Sequence, residues 1–197
     1  MAQELFGPES PNLTGPLQSL GRNALFQRDF ATAEKYFFRA VDLNEKFFGE
    51  GSDKVAETLV QASAVYFVQK DYAKAETYLL RALRIDEAIY GKDGLQLSMP
   101  LASVCALYSQ WDKPEKLEPY NRQYLTVLEK QYGANSPVIV PLLTSQAKVL
   151  RTLGRNDDAT QYDNRVASIR SATMRTNRST PPLDGSSSGD RSRLTAR

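Results

Sequence analysis

The chain has 197 residues, 41% hydrophobic and 24% charged, with a net charge of +2, enough ordinary globular material for one sizeable domain. It has no histidine and one cysteine, Cys105, which excludes an internal disulfide, the usual histidine–cysteine zinc sets and any nucleophile activated by histidine. No apolar run approaches the roughly 20 residues that span a bilayer, and no glycine-rich phosphate loop, metal cluster or nucleophile–base pair stands out, so neither catalysis nor a cofactor is expected. The start, MAQELFGPES, lacks the basic and apolar stretches of a secretory signal. With the unpaired cysteine, that makes the cytoplasm the expected compartment, a removed leader remaining open.

Four aromatic–glycine pairs divide the chain: Phe6-Gly7, Phe48-Gly49, Tyr90-Gly91 and Tyr132-Gly133, with the glycines 42 residues apart each time. A period of this size marks a stacked repeat array, in which each unit buries its apolar face against its neighbours. The expected units are 7–48, 49–90, 91–132 and 133–172. Each reads as two helices of about 17 to 19 residues. The first starts some four residues after the glycine, near Pro11, Asp53 and Pro137. Turns follow at Gln27-Arg28-Asp29, Gln69-Lys70-Asp71, Trp111-Asp112-Lys113 and Leu153-Gly154-Arg155. The second helix then runs to the next glycine, whose freedom to take the left-handed backbone is expected to close it. Turns so short force each pair antiparallel.

Aligning units by their glycines exposes the expected core. Leu17, Leu59, Leu101 and Leu143 form one column and Tyr36, Tyr78, Tyr120 and Tyr162 another. A third is always small (Gly21, Ser63, Cys105, Ala147), which lets helices approach closely and gives Cys105 a packing role. Pro16, Pro100 and Pro141 fall in or near first turns, where a missing amide matters little; Pro119 lies one turn into its helix, where a local bend is expected. Beyond about residue 173 periodicity is lost. Residues 170–197 carry six arginines against Asp184 and Asp190, a composition expected of a solvated, disordered basic tail.

These columns resemble the tetratricopeptide repeat, and the 42-residue length resembles its kinesin-light-chain type. The small column is followed three residues later by Ala24, Tyr66, Tyr108 and Leu150. The second helices carry Phe30, Ala33, Phe37, Ala40 and Tyr72, Ala75, Leu79, Ala82 at the family's aromatic–alanine places, and KAETYLLRALRIDEAIYG reads much like the family's wording. The third unit departs with Pro114, Leu117, Asn121 and Tyr124, so rearranged packing is expected there. The fourth departs with Asn156, Ala159, Asp163 and Val166, a polar face suited to a terminal cap. MAQELF matches the close of a preceding second helix. The resemblance implies an all-α, right-handed superhelical solenoid of four antiparallel helix pairs over residues 1–172.

The resemblance further implies that the first helices line a concave groove holding a partner polypeptide. The lining places carry over to Gln18, Arg22, Leu25 and Phe26; to Val60, Ala64, Phe67 and Val68; to Ala102, Ala106, Ser109 and Gln110; and to Thr144, Lys148, Arg151 and Thr152. This strip is apolar in the middle and cationic at its ends, which suits a protein or peptide with apolar residues flanked by acidic ones. The family's peptide-clamping asparagines are replaced by Gln18-Ser19, Val60-Gln61, Ala102-Ser103 and Thr144-Ser145. Trp111, at the turn of the third unit, reads as packing. The expected role is a non-catalytic interaction module, with no nucleic-acid or membrane partner. The alternative is a structural protein that self-assembles through its first unit.

Overall fold

The glycines that punctuate the sequence also punctuate the fold. The structure, a computed structural model, describes residues 9–179, with side chains to Arg175. The MAQELF segment and most of the basic tail therefore lie outside the described residues. Among the described residues eight helices follow one another: α1 (Thr14–Phe26), α2 (Phe30–Phe48), α3 (Asp53–Val68), α4 (Tyr72–Tyr90), α5 (Ser98–Gln110), α6 (Pro114–Tyr132), α7 (Val140–Thr152) and α8 (Asn156–Ser179). Each packs on the next, and α3 also touches α1 and α5, so the odd-numbered helices run side by side along one face. The architecture is an all-α repeat solenoid.

Both kinds of junction have a stereochemical cause. Gly49, Gly91 and Gly133 close α2, α4 and α6 at φ 86°, 77° and 89° with ψ of 152°, 166° and 149°. This is not the left-handed helical geometry expected from sequence but an extended positive-φ region that only glycine enters without strain. Within each unit the middle turn residue is left-handed: Arg28, Lys70, Asp112 and Gly154 have φ of 62°, 63°, 54° and 75°. The following amide then reaches back to the helix, from Asp29 to the Ala24 carbonyl (2.9 Å), Asp71 to Tyr66 (2.9 Å), Lys113 to Tyr108 (3.0 Å) and Arg155 to Leu150 (2.8 Å). Asp29 and Asp71 cap the next helices by accepting from the Thr32 and Lys74 amides.

The first helices are shorter than expected, 13 residues in α1, α5 and α7 and 16 in α3. The three shorter ones enter through 3-10 turns at Pro11–Leu13, Leu95–Leu97 and Pro137–Ile139. Pro16, Pro100 and Pro141 sit at this entrance and lack the amide an α-helical first turn would use. Unit two has Thr58 there, and its helix starts directly at Asp53. Pro119 lies inside α6, which runs through it without a break. At the far end α8 continues past residue 172 to Ser179. Apolar periodicity reports burial alone, and an established helix propagates on backbone bonds beyond its buried residues, of which Ile169 is the last with a described side chain.

The leucine and small columns are buried throughout, as are Ala33, Phe37, Ala40, Ala75, Leu79 and Ala82. Gly21 earns its place: a Cβ there would lie 3.0 Å from the Phe37 ring. The tyrosine column is corrected, however. Tyr36, Tyr78, Tyr120 and Tyr162 are half-buried at the margin of the core and pack against it.

Polar rungs tie unit to unit. Glu45 and Glu87 accept from Arg81 (2.6 Å) and Gln123 (2.6 Å) of the following second helix, and Glu129 is ion-paired with Arg165 (2.5 Å). Glu34 and Glu76 accept from the Tyr66 and Tyr108 hydroxyls at 2.7 and 2.6 Å. In the last unit the hydroxyl's place is taken by Leu150, and Glu118 is held instead by Gln146 (3.1 Å), Arg122 (2.6 Å) and Arg155 (3.5 Å).

Candidate partner-binding groove

Helical periodicity turns one side of each first helix toward its partner helix and leaves a stripe on the opposite side for solvent. The stripe residues named from sequence divide into three groups. Val60, Ala64 and Phe67 of α3 and Ala106 of α5 converge on a single apolar hollow of about 170 Å³, floored by Ser63 and Leu79 and walled by Ser103. Phe67 is half-buried and packs edge-on against Tyr72, 6.1 Å between ring centres, so its ring is both wall and packing. Val68 is half exposed beyond it.

Lys148 and Thr152 border a second hollow of about 90 Å³ with Ser109, Asp112 and Lys113. Gln110 and Thr144 are exposed and line neither hollow, and Ala102 is half-buried. At the opposite end Arg22 is exposed and bonds Ser19 of its own helix at 3.3 Å. Gln18 is committed to the stack, donating to the Thr58 hydroxyl at 2.7 Å. Leu25 is half-buried against the Phe37 cluster, whereas Phe26 is 91% exposed.

The cationic ends are unequal once neighbours are counted. Arg151 is ion-paired with Asp163 of α8, the residue that replaces Phe37 and Leu79 in the last unit. Lys148 forms no ion pair among the described residues. The sequence could not reveal this difference, because Asp163 faces Arg151 only after α7 and α8 fold together.

A third hollow went unforeseen. Its volume is about 350 Å³, and it lies between α5, α6 and α7 where the next repeat interface repeats the geometry of the first hollow. Cys105, Ala106, Ser109, Asn121 and Ser145 occupy the places that Ser63, Ala64, Phe67, Leu79 and Ser103 hold one unit earlier. Two large apolar side chains are thus exchanged for Ser109 and Asn121, and α5 and α7 approach each other less closely than α3 does α1 or α5. The signal was visible as a departure at Asn121; its consequence, a vacated volume, needed the fold. Asn121 is 1% exposed; its amide donates to the Ser145 hydroxyl at 3.2 Å and its Oδ1 has no partner.

A family model described as tetratricopeptide repeat matches residues 54–130, across the second and third units. Over that stretch the units match the tetratricopeptide repeat. Among solved structures the chain is similar to BtubC (BKLC) from P. vanneervenii, at 18% identity and a TM-score of 0.72, covering 95% of this chain and 72% of that one. It is also similar to a candidate kinesin light chain from Podosopora anserina with nearly identical TPR-like repeats. That likeness is at 13% identity and a TM-score of 0.70, over 85% of this chain and 80% of that one. A second crystal structure of that protein, carrying one substitution, gives 13% and 0.71, over 84% and 78%. In fold the chain is of the kinesin-light-chain-like type. No curated protein sequence matches it.

Tetratricopeptide repeats are a general protein–protein interaction module, and in general they serve as non-catalytic scaffolds. In this one Cys105 is a packing residue: it is 8% exposed, and burial pushes its thiol up to about 12, so it stays protonated at neutral pH. Trp111 stacks on Tyr108 and tilts against Tyr72, with Lys113 and Lys116 over its ring at 5.9 and 5.3 Å. No group of three or more acidic or cysteine side chains among the described residues could hold a metal ion. No helix among them is long and apolar enough to cross a membrane.

Proposed function

We propose that this protein is a non-catalytic adaptor that holds a partner polypeptide along the concave strip formed by α1, α3, α5 and α7. The observation that carries this reading is the convergence of Val60, Ala64, Phe67 and Ala106, from successive first helices, on one apolar hollow. Burying one or two large side chains there supplies the attraction, at about 1.5–3 kcal/mol each. Arg22 and Lys148 lie toward opposite ends of the strip and favour acidic residues flanking the apolar ones. Arg151, held by Asp163, contributes less than its charge suggests. The partner is a protein or peptide, neither nucleic acid nor lipid, and the cytoplasm is the proposed compartment.

A random peptide library, with peptides about 12 residues long to span the strip, displayed against the full chain tests this. Enriched peptides should carry apolar residues beside Asp or Glu. An Arg22→Glu/Lys148→Glu protein should bind them several-fold more weakly and with less salt dependence. Equal binding would move recognition off the groove. A light-scattering mass that rises with concentration, with no peptide enriched, would favour self-assembly instead.

A further inference from the structure

A fourth hollow, of about 230 Å³, opens at the C-terminal end of the stack, between the entrance of α7 and the last turns of α8. Pro137 and Val140 form one wall, Ile169, Thr173 and Met174 the other, and Arg170 completes the lining. It shares no lining residue with the three hollows described above. Ile169 is buried, whereas Met174 is 64% exposed. The Thr173 hydroxyl is committed to the Ile169 carbonyl at 2.9 Å, and Arg170 forms no ion pair among the described residues. The hollow therefore offers apolar surface beside one positive charge.

One unit earlier the end of the second helix is covered by the next unit's 3-10 turn, where Ile139 packs with Leu125 and Leu128 of α6. No such turn follows α8 among the described residues. One 42-residue period after Ile139-Val140-Pro141 the sequence reads Pro181-Pro182-Leu183. Leu183 is the only large apolar residue between Met174 and Leu194, and Asp184 follows it. An apolar residue and then an acid match a hollow that is apolar beside Arg170. The reach is sufficient. Ser179 lies about 7.5 Å along the helix axis beyond Met174, and the four steps from Ser179 to Leu183 span up to about 13 Å when extended. Thr180 and Pro181 each precede a proline, which biases both away from helical backbone and so allows the chain to turn back there.

Size decides between occupants. A separate protein needs an interface of about 1,200 Å² or more for a stable contact, far beyond one side chain's hollow. A tethered segment meets the hollow at an effective concentration in the millimolar range, so a single leucine with one ion pair suffices. We propose that Leu183 of the chain's own tail occupies this hollow, with Asp184 paired to Arg170, so that the tail closes the end of the stack.

Methionine oxidation by dilute hydrogen peroxide, read site by site by peptide mass spectrometry on the full chain, tests this. Met99 is the internal reference. Met174 is the more exposed of the two, 64% against 48%, and without cover it should oxidise at least as fast. With Leu183 seated it should instead oxidise about threefold more slowly than Met99. Leu183→Ser and Asp184→Lys should each abolish that protection and leave the Met99 rate unchanged. Arg170→Asp should do the same, and combining it with Asp184→Arg should restore protection. Met174 oxidised as fast as Met99 in the parent, or at a rate that Leu183→Ser does not alter, refutes the contact. Protection that strengthens with protein concentration would assign the covering leucine to a second copy and overturn the intramolecular assignment.

Discussion

Asp86 is buried, 7% exposed, and its carboxyl is raised to about 6 from 3.8 by burial and by the nearby charge of Asp53. Its counterpart one unit earlier, Asn44, donates from its amide to the Lys54 carbonyl at 3.1 Å and the Thr58 hydroxyl at 2.8 Å. The corresponding places are Gln96 and Pro100, and a carboxylate can neither donate to a carbonyl nor find a hydroxyl on proline. The shift of roughly two units corresponds to about 3 kcal/mol if solvent screening is ignored, and about 1–2 kcal/mol with it.

The sign follows from linkage. Because the folded-state value is raised, the folded protein holds this proton more tightly than the unfolded chain. The associated stability is fully present below about pH 4 and is lost as pH rises through about 6. Asp86→Asn should therefore gain about 1–2 kcal/mol over the parent in urea denaturation at about pH 7.5, and the gain should shrink toward zero near about pH 4.5. Asp53→Asn should produce a smaller gain with the same pH dependence. A gain independent of pH, or a loss at the higher pH, would refute this account of Asp86.

Gly91→Ala should cost about 1–3 kcal/mol in the same assay, since φ 77° with ψ 166° is strained for any residue with a Cβ; an unchanged midpoint would contradict it. Gly21→Ala gains about 1 kcal/mol of helix propensity but overpacks Phe37 by about 1–3 kcal/mol, so the net change should be a loss that reverses in a Phe37→Leu background. Tyr108→Phe should cost about 1–2 kcal/mol, because Glu76 keeps Lys116 but loses the hydroxyl, and circular dichroism melts would register it.

The fold was legible because it is written four times. One leucine column is weak evidence; the same column at Leu17, Leu59, Leu101 and Leu143, in register with three helix-closing glycines, leaves one architecture. The groove was partly legible for a related reason: once the buried stripe of α3 is assigned, Val60, Ala64 and Phe67 follow from helical geometry. What escaped depends on pairs of residues from different helices. Asn121 reads as a misfit in α6, and only beside Ser109 and the wider separation of α5 from α7 does it become a hollow. Arg151 reads as a free cation until Asp163 folds against it. The 3-10 entrances escaped because proline tolerance in a first turn says nothing about which kind of turn it is.

The rungs between units bear on how α8 meets its surroundings. Each earlier second helix offers carboxylates to the unit that follows, at Glu34, Glu76 and Glu118 and at Glu45, Glu87 and Glu129. In α8 the same places are Thr160 and Ser171, and both hydroxyls bond back to their own helix, at the carbonyls of Asn156 (2.9 Å) and Ala167 (2.8 Å). Asp163, where an apolar residue would meet the next helix pair, is turned to Arg151. Among the described residues, the outer side of α8 therefore lacks the carboxylate acceptors and the apolar ridge with which these units stack. Head-to-tail association of copies needs such a surface at one end and its complement at the other. With α8 unsuited to that contact, the concave strip is the better-equipped surface for binding another protein.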